Sequence, residues 1–145
     1  MRHCWRGFTL LELLLVVAIV ATASVGVSLS MRDSAQARLE TEAQRLAAIL
    51  ESARAQSRAS GVPVRWRATS NGFTLEGLTP DTTNALPQTW LESGVAASSE
   101  RPLLLGPEPL IPPQSVRLWL TERPQTALRV TTDGIRPFAV QAATP

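Results

Sequence analysis

The side chains best suited to chemistry sit at one end of the sequence. Its single His and single Cys, His3 and Cys4, lie within the first seven residues, and nothing after Gly7 is Cys, His, Lys or Tyr. Beyond Gly7 there is therefore no thiol nucleophile, imidazole base or Schiff-base lysine, no His or Cys metal ligand, and no disulfide. Two-carboxylate catalysis is the chemistry left open. The 12 acidic residues, however, are scattered singly apart from Glu40 and Glu42, which is no pattern for an acid and base pair. The expectation is a protein that is not an enzyme and holds no cofactor and no metal.

Glu12 is the exception in its surroundings, because it is the only charge in the 23 residues from Phe8 to Ser30. At about 1.5 Å per residue, a helix of this length spans a hydrocarbon core of roughly 30 Å. Arg2 and Arg6 precede the stretch, and Arg32 and Asp33 follow it. A carboxylate inside such a segment costs about 2.5–3.5 kcal/mol on insertion scales, so it is rarely kept without a use. Two plainer readings compete. One is a simple anchor. The other is a secretory signal cut near Ala21-Thr22-Ala23, which would release a free periplasmic binding domain. Neither gains anything from Glu12.

The run Arg6-Gly7-Phe8-Thr9-Leu10-Leu11-Glu12-Leu13 resembles the processing motif of type IV prepilins and type II secretion pseudopilins. The resemblance implies a leader, residues 1–7, that a prepilin peptidase cuts off between Gly7 and Phe8, followed by methylation of the new Phe8 amine. It also implies that Glu12 of an incoming subunit pairs with the Phe8 amine of its neighbour during assembly. The residue types suit these steps. Gly7 lets the scissile peptide enter a narrow site, and the basic leader stays cytoplasmic. Opposite charges at Phe8 and Glu12 lie one helical turn apart and offset each other's burial.

Beyond Ser30 the pattern becomes that of an amphipathic helix. Leu39, Ala43, Leu46, Leu50 and Ala53 recur at spacings of three and four, with Arg38, Glu42, Arg45, Glu51 and Arg54 mainly off that stripe. Gly61 and Pro63 supply a stop, so one helix of about 50 residues is predicted from Phe8 to about Ser60. The period then falls to two. Val62, Val64 and Trp66 alternate with Arg65 and Arg67, and Asn71-Gly72 leads into Phe73-Thr74-Leu75-Glu76, which reads as a hairpin with a tight turn. Residues 79–101 read as a long exposed loop with a short strand around Trp90. Leu103 to Leu105 reads as a short buried strand, and the prolines from Gly106 to Pro113 as a stiff connector. Val116 to Leu120 and Leu128 to Val130 alternate, and Asp133-Gly134 predicts a hairpin into a strand over Ile135 to Val140. The fold class is α+β: a long N-terminal helix, its first half membrane-embedded, packed on an antiparallel sheet. The domains expected are the leader 1–7, a transmembrane and polymerisation helix 8–30, and a periplasmic domain 31–145.

The helix end from Leu50 to Gly61 with the strand after it, and the closing Val130-Thr131-Thr132-Asp133-Gly134, are similar to the GspH/FimT group. The stretches Leu105 to Pro113 and Asp133 to Phe138 look most like the H-type minor pseudopilin of type II secretion. That resemblance implies a single-pass protein of the bacterial inner membrane with its C-terminal domain in the periplasm, a subunit of the tip region of a pseudopilus that helps export folded proteins. The partners it implies are the prepilin peptidase, other major and minor pseudopilins, the secretion assembly platform and the inner membrane itself. The alternative is a FimT-like minor pilin of a type IV pilus, active in twitching or DNA uptake, with Arg65, Trp66, Arg67 and Arg136 as a basic aromatic patch. Charge balance weighs against nucleic acid as a partner: without Arg2 and Arg6, the 14 Arg fall to 12 against 12 acids, and nucleic-acid binding needs clustered excess positive charge.

Overall fold

The computed structural model describes residues 10–79 and 86–143, with side chains described for these except at 23–33. The chain divides into two compact units, one ending at Ala35 and the other beginning at Gln36. A single helix, α1 (Leu10–Ser60), contributes to both. In the first unit, the large apolar side chains of α1 from Leu10 to Val20 are all exposed and lie on every side of the helix, interrupted by Glu12. Consecutive positions advance by 100°, so this is no amphipathic stripe waiting for a soluble core. Among the described residues no helix is long and apolar enough to cross a membrane. The segment 8–30 expected to do so lies partly outside them, at Phe8, Thr9 and the side chains from Ala23.

In the second unit the predicted stripe is the core face. Leu39, Ala43, Leu46, Leu50 and Ala53 are almost fully buried, and each leucine removed from water contributes roughly 1.5–3 kcal/mol. The helix stops where Gly61 turns left-handed (φ 72°) and donates its N–H to the Ser57 carbonyl at 2.9 Å. This is a single-bond αL cap that satisfies one of the last orphan carbonyls. Ser57 is itself buried, and its Oγ donates to the Val62 carbonyl at 2.6 Å, fixing the chain's exit toward the first strand.

Seven strands follow: β1 (Arg65–Thr69), β2 (Gly72–Glu76), β3 (Val95–Ser98), β4 (Leu103–Leu104), β5 (Gln114–Leu120), β6 (Arg123–Thr132) and β7 (Ala139–Ala142). They form two antiparallel sheets, ordered β2-β1-β4 and β3-β5-β6-β7, where the sequence predicts one. The helix stripe shares one core with both, through Trp66, Phe73 and Leu103 from the first sheet, Val64 just before it, and Val116, Leu118 and Val130 from the second. Gln114 joins the two sheets. Its side-chain amide accepts from the Leu104 N–H at 2.8 Å and donates to the Leu104 carbonyl at 2.7 Å, occupying the backbone edge of β4 as another strand would.

Three local expectations change. Thr69 pairs with Gly72, so the first turn is Ser70-Asn71 and Gly72 already belongs to β2. A Cβ at Gly72 would lie 2.2 Å from the Gln88 carbonyl oxygen, so the glycine serves a close backbone approach rather than the turn. Across that approach Phe73 donates to the Gln88 carbonyl at 2.9 Å, and the half-buried Trp90 packs on Phe73 with centroids 5.1 Å apart. In the region 79–101 the extended stretch expected around Trp90 is a single bridge from Thr89 to Gly72, and the unexpected element is the Ala- and Ser-rich β3 further on, where no period signals it. Finally, Ile135 is 75% exposed and belongs to a turn. The closing strand begins at Ala139 rather than Ile135 because Asp133 and Thr132 organise residues 133–138 locally.

Candidate assembly site

Of the residues expected to act in processing and assembly, Gly7 and Phe8 lie outside the described residues. Glu12 is described. It sits in the first turn of α1, solvent-exposed and embedded among the exposed apolar side chains Leu10, Leu11, Leu13 and Leu14.

The second unit also buries charged residues of α1 that lie off the leucine and alanine stripe. Glu42 is 1% and Arg54 3% exposed, although both were expected off the core stripe. The buried face is wider than the leucine and alanine stripe, because three separate loops lie over it. Glu42 accepts from Arg45 Nη1 at 2.7 Å and from the Leu91 N–H at 3.1 Å, pinning the segment after Trp90. Glu51 accepts from the Phe138 N–H at 3.0 Å. Arg54 Nη2 donates to the Gly134 carbonyl at 2.8 Å and to the Pro109 carbonyl at 3.2 Å, clamping the Pro-rich connector to the last turn. Side chains spread over about three turns of α1 thus fix the loops that lie over it. The only signal in the sequence was the i, i+3 charge spacing of Glu42 with Arg45 and Glu51 with Arg54, which surface pairs share.

The last turn is organised by Asp133 Oδ1, which accepts from the Ile135 and Arg136 N–H groups at 2.9 and 2.8 Å. These bonds, that from Arg136 foremost, hold the exposed Asp133 carboxyl below its ordinary value because they favour the ionised form. Gly134 (φ 93°) approaches the Ile111 carbonyl so closely that a Cβ would lie 1.9 Å from its oxygen.

The basic aromatic patch of the alternative reading does not form, because Trp66 faces the core as its alternation with Arg65 and Arg67 predicts. Trp66 is fully buried, leaving Arg65 and Arg67 exposed without their aromatic partner, and Arg136 faces Asp133 at 3.7 Å. Among the described residues no cluster of His, Cys, Asp or Glu is placed to hold a metal.

Residues 6–28 match the family described as the prokaryotic N-terminal methylation motif. No curated protein matches the sequence. Among solved structures, the fold is similar to the minor pseudopilin EpsH from the type 2 secretion system of Vibrio cholerae, at 18% identity and TM-score 0.56, covering 72% of this chain and 97% of that one. It is also similar to the type IV minor pilin FimU of Pseudomonas aeruginosa, at 12% identity and TM-score 0.52, covering 80% and 92%. A methylation motif thus leads into a helix packed on antiparallel sheets, a pilin-like α+β fold. The motif and the likeness to EpsH and FimU support a GspH/FimT-like reading.

Proposed function

We propose that the chain is a minor pseudopilin of a type II secretion system, a structural subunit that joins a periplasmic pseudopilus and helps export folded proteins. The observation carrying this reading is the methylation motif at residues 6–28 on a chain whose fold follows EpsH over 97% of that protein. In this reading residues 1–7 are the leader, 8–30 the anchor and polymerisation helix, and 31–145 the periplasmic domain. Prepilin peptidase cuts between Gly7 and Phe8, and the Phe8 amine is methylated. The protein then stays in the inner membrane until assembly, where Glu12 pairs with the Phe8 amine of a neighbouring subunit and sets register. A carboxylate and an ammonium leaving water together offset part of each other's desolvation. The chain carries out no chemistry itself. Its partners are other pseudopilins and the assembly platform.

A second reading, a minor pilin of a type IV pilus, is favoured by the likeness to FimU. Deleting the gene in its native host, then complementing with wild type or Glu12→Ala, separates the two. Lost export of exoproteins with motility and DNA uptake intact, restored by wild type but not by Glu12→Ala, is the expected result. Intact export with lost motility or uptake would replace the pseudopilin by the pilin.

A further inference from the structure

The outer face of the four-stranded sheet carries a charge arrangement that the fold does not need. Cross-strand register places Ser98, Arg117, Arg129 and Gln141 in one row, and Ala96, Trp119 and Ala127 in the next. Val116, Leu118, Leu128 and Val130, at the alternate positions, are buried in the core, so the rows face away from it. Arg117 and Arg129 are both exposed and directly opposite. At such positions Cβ atoms are about 4.5–5.5 Å apart and like charges destabilise the pair. None of the ion pairs among the described residues involves either arginine. Arg117 is held in place, with its guanidinium carbon 5.5 Å from the Trp119 ring centroid and Nη2 donating to the Pro124 carbonyl at 3.1 Å.

We propose that this face is a docking surface for an acidic, carboxylate-bearing segment of a partner protein, with Arg117 and Arg129 as its anion contacts and Trp119 as its apolar anchor. Two guanidiniums side by side match a carboxylate in charge and in hydrogen-bond geometry, and binding one removes the repulsion between them. Arginine and tryptophan are also the residues that dominate protein–protein contacts. The side chains around them, Ser98, Ala127 and Gln141, are neutral and supply no counter-charge. Nucleic acid fits less well, since two arginines on a domain of balanced charge make no track for a phosphate backbone. The surface is independent of whether the chain serves secretion or a pilus.

The test uses the mature full-length chain in neutral detergent and two fluorescent probes: a glutamate-rich peptide of about ten residues and a single-stranded oligothymidylate of matched charge. The peptide is expected to bind and to perturb Trp119 fluorescence. Arg117→Gln with Arg129→Gln should weaken it by about tenfold or more, as losing two charge-assisted contacts implies. Arg65→Gln with Arg67→Gln, which removes the same charge from the other sheet, should leave binding unchanged. The first double variant should also unfold no more easily than wild type, because it removes a like-charge pair. Failure of the peptide to bind, equal loss in both double variants, or tighter binding of the oligothymidylate would overturn the proposal.

Discussion

A guanidinium only 3% exposed carries a desolvation cost of several kcal/mol, and at Arg54 that cost is offset by two backbone carbonyls on different loops and by Glu51 at 3.7 Å. The compensation is incomplete, since Arg54 Nε is buried without a partner. Such a residue acts as a clamp: it holds the Pro-rich connector and the last turn in one arrangement. Replacing it with methionine keeps most of the volume but leaves the Pro109 and Gly134 carbonyls unpaired. Arg54→Met is expected to destabilise the soluble unit by about 2–4 kcal/mol, read as a lower urea midpoint with unchanged slope. No change in midpoint would show that the clamp contributes nothing net.

At the scale of elements, the two glycines that end α1 and open the last turn do different work, although both have positive φ. Gly61 has open space where a Cβ would stand, whereas a Cβ at Gly134 would strike the Ile111 carbonyl. Gly61→Ala is expected to cost about 1–2 kcal/mol, the penalty of a left-handed alanine. Gly134→Ala should cost about 3 kcal/mol or more, because the loop must also move. Equal losses in thermal or urea unfolding would mean that the approach to Ile111 does not fix the turn. The same elements show what the sequence could reveal. The stripe Leu39 to Ala53, the stop at Gly61 and the alternation around Trp66 were legible, because each is a local period or a local break. The burial of Glu42 and Arg54 was not, since it depends on loops 49 and 80 residues away. The close approach at Gly72 was hidden for the same reason. The split into two sheets was hidden as well, because Gln114 reads as an ordinary strand residue until its amide is seen on Leu104.

For the whole molecule, the two units differ in where their apolar side chains lie. The first shows an all-round apolar helix surface interrupted by Glu12, and the second buries its apolar residues in a core of its own. Our account reads the first as the part that lodges in a membrane and then in a filament, and the second as the part that meets partners in the periplasm. Everything in that account depends on where the chain is cut. Processing at Gly7 keeps the apolar helix attached; processing near Ala23 removes it together with Glu12. The most direct measurement is the N-terminal peptide of the protein extracted from membranes of its native host, read by mass spectrometry. The expected chain begins at Phe8 with a methylated amine, while a chain that begins at Ser24, or one that retains residues 1–7, would contradict processing at Gly7.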